Sequence, residues 1–364
     1  MDVDVSTKLD ELAEIHQVIY ELVRGAIFGK KPDILNVKSV NWDLLMDISV
    51  QHGVMALVWD GICMLPESQQ PPRIIRINFG MSAQEIWDRY QKQESVLKEM
   101  IHICEQNDMR LLLLKGIGLA ENYPKPSSRP CGDVDFYLFG DYEKGNKLFA
   151  HHSISFTEKH AEYDFNDVHV ENHFSMLDTD TKSRQQIEGY LESTLDSSVR
   201  KSTGYYVLSP VANLVYLLMH SVRHFVYTQE LPFRGFIDLA LFIQSQKKFI
   251  ITKECRETLQ KYDLHKIYDL FIYIGEWLLN IDLDDFHFHC IKGKDLAIFK
   301  KFVIEYGFLK YPFINNEKGV FWKRYFYCTR FTSYIPNSYH NYFTYITYRQ
   351  MVEAVKKTII KGCN

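Results

Sequence analysis

The chain has little that would suit it to an oxidising compartment or to a membrane. Its seven cysteines, Cys63, Cys104, Cys131, Cys255, Cys290, Cys328 and Cys363, are scattered, odd in number and without a C-x-x-C pair. That argues against a disulfide framework or a zinc ribbon and for free thiols in a reducing compartment. No apolar run is long enough to span a bilayer. The acidic start Met1-Asp2-Val3-Asp4 lacks an apolar signal-peptide segment, so the expected location is cytoplasmic, with no membrane partner. Internal repeats and low-complexity segments are absent too. A net charge of −4 over 364 residues gives no global sign of nucleic-acid or membrane binding.

What is present is ordinary in bulk and uneven in detail. A hydrophobic content of 46% with 24% charged residues is that of a folded globular chain, long enough for more than one domain. From Lys301 onward ten Lys/Arg stand against Glu305, Glu317 and Glu353, a local +7 that leaves −11 for the rest. A basic end on an acidic body can meet an anionic partner. The same stretch is rich in aromatics, among them Tyr306, Phe313, Trp322, Tyr325, Phe326, Tyr334, Tyr342, Tyr345 and Tyr348. These could stack bases, but at helical spacing they read first as core.

The first hundred or so residues read as all-helical. Leu9, Leu12, Ile15, Ile19 and Leu22 make an apolar stripe over 8–24. Asn41 suits a helix N-cap, Gly53 a break before Val54–Cys63, and Pro71-Pro72 a linker before a long helix from about Ser82 to Gln106. The texture changes at Arg110. Leu111–Leu114 is short, apolar and closed by Lys115-Gly116, as a buried strand should be. A helix start at 117–123, a loop from Pro124 to Pro130 and a strand at Val134–Phe139 follow. Tyr142–His152 has a helical pattern, and Ile154–Phe156, Ala161–Phe165 and Val168–Leu177 read as strands. From Ser209-Pro210, an N-cap with proline at the first helical position, the chain turns helical again, with Phe233–Ser245 as a further helix. The expected fold class is α+β: a small mixed sheet flanked by helical regions. The expected division is 1–108 helical, 109–200 sheet and 201–364 helical.

Chemistry concentrates around Asp133-Val134-Asp135. Two carboxylates two apart on a strand face the same way, and hard oxygen ligands are what Mg²⁺ prefers. Lys115-Gly116 closes the preceding strand: glycine lets backbone approach a phosphate, and lysine supplies a point charge. Ser127, Ser128 and Arg129 come just before the Asp pair. In His169-Val170-Glu171-Asn172-His173, a period of two places His169, Glu171 and His173 on one face. Glu171 suits a third metal ligand or a general base, and His173 a phosphate contact or proton shuttle. His220 and His224 are four apart with Arg223 between them, and read as a structural pair. Arg234 and Asp238, also four apart, most simply form a helical salt bridge. His287-Phe288-His289-Cys290 alternates like a strand and reads as structure.

Taken together, Leu-Leu-Leu-Lys-Gly, the Tyr-Pro loop with Arg129, Gly-Asp-Val-Asp-Phe and Val-Glu-Asn-His-Phe resemble the DNA polymerase beta-like nucleotidyltransferases. More narrowly, they resemble the bacterial uncharacterised nucleotidyltransferase family. The resemblance covers roughly residues 40–245, including Gln51-His52-Gly53-Val54 and the stretch Leu231–Ala240. It implies Mg²⁺-dependent transfer of a nucleoside monophosphate from a nucleoside triphosphate to an acceptor hydroxyl the sequence does not identify. In that assignment Asp133, Asp135 and Glu171 are catalytic and hold one or two Mg²⁺ ions. Lys115, Gly116, Ser128, Arg129 and His173 bind nucleotide or phosphate, and Arg234 and His220 are weaker substrate contacts. The sequence departs from the superfamily at Gly116-Ile117, where a second small residue is usual, although the narrower family shares the Lys-Gly form. A non-catalytic nucleotide-sensing or protein-binding module is the alternative, and a metal-dependent hydrolase is a third. Nucleic acid as a partner has no motif behind it.

Overall fold

The computed structural model describes residues 5–34, 40–150, 154–288, 291, 293–309 and 318–339. It opens with α1 (Val5–Phe28), α2 (Trp42–Gln51), α3 (Met55–Cys63) and α4 (Arg73–Gln106). Asn41 caps α2 by accepting the Leu44 amide at 3.2 Å, and Gly53 turns the chain with φ +65. The 34 residues of α4 make a rod of about 50 Å. It starts at Arg73, directly after Pro72, rather than near Ser82. Its first turns leave Ile74, Ile77 and Met81 exposed, so no buried stripe marks them in the sequence.

The sheet follows, with its helices interspersed: β1 (Leu112–Leu113), α5 (Ile117–Ala120), β2 (Val134–Tyr137), α6 (Tyr142–Phe149), β3 (Ser155–Phe156), β4 (His160–Phe165), β5 (Val168–His173), α7 (Lys182–Ser193), β6 (Val199–Arg200) and β7 (Tyr206–Val207). The strand order is β3-β4-β5-β2-β1-β7-β6. The β2–β5 and β1–β7 pairs are parallel and the others antiparallel, so the sheet is mixed and the fold α+β. The β6–β7 hairpin carries the sheet past residue 200, because the Tyr206 amide donates to the Leu111 carbonyl at 2.8 Å. Strands of two residues have no readable period, which is why this edge is invisible in the sequence. Helix α7 was also unforeseen, although Thr181 caps it through the Arg184 amide.

Strand alternation splits the interior in two. Leu111, Leu113, Val134, Phe136, Val170, Ala161 and Tyr163 point into a core closed by α4 and α6 through Val96, Met100, Cys104 and Phe149. Leu112, Leu114 and Tyr137 point the other way, into a larger helical core. That core contains α8 (Pro210–Thr228), α9 (Phe233–Ser245), α10 (Lys247–Ile250), α11 (Lys253–Lys261), α12 (His265–Leu279), α13 (Gly293–Tyr306) and α14 (Lys318–Phe331), together with the first three helices. Pro210 starts α8 as expected, with Ser209 at the N-cap position but without a side-chain capping bond. No helix among the described residues is long and apolar enough to cross a membrane.

In the seam between the N- and C-terminal helices two histidines are fully buried. His16 Nδ1 donates to the Ile304 carbonyl at 2.8 Å, and His52 Nδ1 accepts the Phe233 amide at 3.3 Å. Burial lowers the pKa of His16 to about 4 and holds His52 well below the usual imidazole range. Gly307, at φ +52, leaves room for them: a Cβ there would lie 2.5 Å from His52 Nε2. In the C-terminal region Tyr306 and Tyr334 are buried, as core aromatics should be, while Trp322 and Phe326 are exposed. Phe313, Tyr342, Tyr345, Tyr348, His151-His152 and His289-Cys290 lie outside the described residues.

Candidate functional site

Three adjacent strands build one polar face. Parallel pairing of β2 with β5 sets Asp135 beside Glu171 and Tyr137 beside His173. Antiparallel pairing of β4 with β5 sets Glu162 beside Glu171 and His160 beside His173. Because side chains alternate, Asp133, Asp135, Glu171, His173, His160 and Glu162 share one side of the sheet, while Val134, Phe136, Val170 and Ala161 fill the core on the other. Asn172 points away from the site and donates to Asn146 Oδ1 at 2.8 Å.

Within this face, Asp133, Asp135 and Glu171 bring one carboxylate oxygen each within 4.8 Å of one another. Asp135 is fully buried. Its Oδ1 lies 3.0 Å from Lys115 Nζ and 3.2 Å from His173 Nε2. Its Oδ2 is buried and accepts no hydrogen bond among the described residues. A buried carboxylate oxygen with no donor is costly, and a hard cation is the partner its chemistry fits. Lys115 Nζ also lies 3.7 Å from Asp133 Oδ2.

The charges are mutually dependent. Burial works against the Lys115 ammonium, but Asp135, Asp133 and Glu171 together hold its pKa above the ordinary value. Burial likewise pushes Asp135 upward, yet Lys115 and the His173 hydrogen bond hold it well below the usual carboxylate range. Asp133 is raised, by burial and by the neighbouring charge of Asp135. His173 is raised against the effect of its burial, by hydrogen bonds to Asp135 and Glu171.

The backbone before and after the first strand is arranged for this contact. Gly116 adopts φ +63 and ψ −121, a region open to glycine, and a Cβ would sit 3.2 Å from the Asp133 carbonyl. The following Ile117 is buried in the sheet core, so it serves packing. The loop leading to Asp133 is pinned by three helices. Ser128 Oγ donates to Asp60 on α3. Gln93 on α4 donates to the Gly132 carbonyl at 3.2 Å. Arg234 Nη1 on α9 donates to the Pro130 carbonyl at 2.9 Å.

These contacts differ from the pairing expected within the helical turn. Arg234 and Asp238 do not pair: Asp238 takes Arg129 in a two-pronged contact, Nε and Nη2 each at 2.7 Å. Arg129 is therefore buried, its fork occupied by a carboxylate, and it anchors the loop from the wall of the cleft that α8 and α9 line. Ser128 is also fully buried and spent on Asp60. His169 leaves the cluster, since it lies at the far end of β5, is half-exposed and faces Asp164 at 3.3 Å.

An open cleft of ≈ 790 Å³, its solvent-filled mouth included, lies between this face and helices α8 and α9, with Lys115, Gly116, Asp133, His220, Arg234 and Gly235 on its walls. His220 is held well below the ordinary imidazole pKa by burial and by Lys115, so it presents a neutral ring. Arg223, the residue between the two histidines, turns instead to Asp178.

Sequence reasoning passed over His160, Glu162 and Lys159. A strand begun at Ala161 stops one residue short of His160, and the alternation His160-Ala161-Glu162 was the available signal. Lys159 is buried, and burial and Arg223 lower its pKa.

No curated protein and no solved structure matches the chain. A family model described as "uncharacterised nucleotidyltransferase" matches residues 38–280. That span contains β1 to β7, the acidic face and both helices of the cleft, and the chain belongs to this nucleotidyltransferase family.

Proposed function

We propose that the chain is a Mg²⁺-dependent nucleotidyltransferase of the DNA polymerase beta-like superfamily. It moves a nucleoside monophosphate from a nucleoside triphosphate to the hydroxyl of an acceptor whose identity is open, the new ester forming as the α–β phosphoanhydride breaks and pyrophosphate leaves. One observation carries this reading: Asp133, Asp135 and Glu171 converge to within 4.8 Å beside an open cleft, with a buried Asp135 oxygen that accepts no hydrogen bond among the described residues. Mg²⁺ bound there supplies charge neutralisation at the phosphates and acidifies an attacking oxygen.

The chain's own residues do the rest. Asp133 and Asp135 hold the cation, and Glu171 is the third ligand or accepts the acceptor's proton. Lys115 faces both carboxylates and the cleft, so its ammonium lies where a phosphate oxygen would approach. Gly116 keeps the backbone low enough for that approach. Neutral His220 and the exposed edge of Arg234 line the acceptor side. In this scheme 109–200, with the β6–β7 hairpin added, is the nucleotide-binding part. Helices from 201 onward form the acceptor wall, and 1–108 braces both.

Label from α-phosphate-labelled nucleoside triphosphates, incubated with Mg²⁺ and a broad acceptor set, should appear on an acceptor and vanish in Asp133→Ala/Asp135→Ala. One observation favours a second reading. Lys115 already neutralises the two aspartates, as a nucleotide-sensing module without turnover would allow. Binding without label transfer would favour that module.

A further inference from the structure

A second cluster shares Glu171 but not its oxygen-only character. His160, Glu171 and His173 bring one ligand atom each within 4.8 Å of one another. Glu171 Oε2 lies 3.2 Å from His173 Nε2 and 3.6 Å from His160 Nδ1, and Asp135 Oδ1 lies 3.2 Å from His173 Nε2. Ligands about 2.0–2.1 Å from a tetrahedral zinc-type ion stand about 3.3 Å apart, close to the 3.2 and 3.6 Å that separate Glu171 Oε2 from the two rings.

The outer nitrogens of the two rings support the same conclusion. His160 Nε2 is held by Glu162 Oε1 at 2.9 Å, and His173 Nδ1 by the Ser175 carbonyl at 3.3 Å. Metal-ligating imidazoles characteristically donate their outer N–H to a carboxylate or backbone carbonyl, which aims the inner lone pair. His160 Nδ1 is buried and has no hydrogen-bond partner among the described residues. An unpartnered buried ring nitrogen facing a carboxylate calls for a cation between them.

We propose that His160, Glu171 and His173 form a nitrogen–oxygen site for a zinc-class divalent ion. This site is separate from the oxygen-only Asp133–Asp135–Glu171 position. Two imidazoles with a carboxylate suit Zn²⁺ and its first-row neighbours better than Mg²⁺. Glu171 stands between the two positions. The site does not depend on nucleotidyl transfer and would exist in a chain that only binds nucleotide.

The test uses the full chain, stripped of metal and titrated with Co²⁺ alone, without nucleotide. A tetrahedral nitrogen–oxygen site gives an intense visible absorption that saturates at one equivalent and is displaced by Zn²⁺ but not by Mg²⁺. His160→Ala should abolish it. Glu162→Gln, at a partly exposed position and therefore safe for folding, should weaken Co²⁺ binding by about 10–100-fold. Asp133→Asn should leave it in place. Thermal unfolding of the metal-free variants checks that each is folded. Absence of the band in the wild-type chain, or a band indifferent to both His160→Ala and Glu162→Gln, overturns the proposal. Loss of label transfer with the cobalt band intact would count against the proposed enzyme activity alone.

Discussion

Replacing Lys115 by methionine isolates the electrostatic arrangement of the site. The substitution keeps most of the side-chain volume and removes the charge. Lys115 Nζ stands 3.0 Å from Asp135 Oδ1, and at an effective dielectric of about 20 that attraction is worth about 5 kcal/mol. Part is returned because the ammonium no longer has to be desolvated. His173, at 3.2 Å, still supports the carboxylate. Breaking one partner of a buried pair costs about 3–5 kcal/mol, and with His173 in place the lower end, about 3 kcal/mol, is expected. Asp135 owes its depressed pKa largely to Lys115. Its contribution is therefore present above the unfolded carboxyl pKa of about 3.9 and is lost as pH falls through the still lower folded value. The gap between wild type and Lys115→Met should accordingly be full at neutral pH and should narrow as Asp135, deprived of its cation, takes up a proton. Urea denaturation in EDTA measures it. The double variant Lys115→Met/Asp135→Asn should recover most of the loss. A single variant within about 0.5 kcal/mol of wild type at pH 7 would refute the claim that Asp135 depends on Lys115.

Two further predictions concern the scaffold. Arg129→Lys keeps the charge but loses the fork to Asp238 (2.7 Å on both prongs). It should destabilise the fold by about 2 kcal/mol, read as a shift in urea midpoint, and a neutral effect would show that the fork does not anchor the loop. His16 has a folded pKa lowered to about 4, so below about 6.5 the unfolded chain binds a proton that the native chain refuses. Stability should fall by about 1.4 kcal/mol per pH unit from this residue between those values, and His52, also buried and lowered, adds to the slope. Denaturation curves from pH 7 to 4.5 for wild type and His16→Gln measure it. Equal slopes would show that His16 takes up its proton while folded.

The acidic centre was legible because it is local: Asp133, just before β2, and Asp135, on it, sit two apart, and Glu171 and His173 repeat that spacing on β5. Parallel register of β2 against β5 then brought the two pairs together. What the sequence hid was contact at long range. Nothing within the Arg234–Asp238 helical turn reveals that Arg129, 109 positions from Asp238, competes for the same carboxylate and wins by its two-pronged geometry. The N-cap at Asn41 and the start of α8 at Pro210 were readable from single residues. The β6–β7 hairpin was not, because its two-residue strands exist only through pairing with each other and, for β7, with β1 at Leu112. His160 was missed by a one-residue error in a strand boundary, the kind of error that alternation turns into a lost ligand.

Calorimetry of Mg²⁺ with a non-hydrolysable nucleoside triphosphate tests the central claim most directly. The wild-type chain should bind one nucleotide in a Mg²⁺-dependent manner, and Asp133→Asn/Asp135→Asn should weaken binding by about 100-fold, the equivalent of about 2.7 kcal/mol. Nucleotide binding that is unchanged in that variant, or absent from the wild-type chain, would contradict the account.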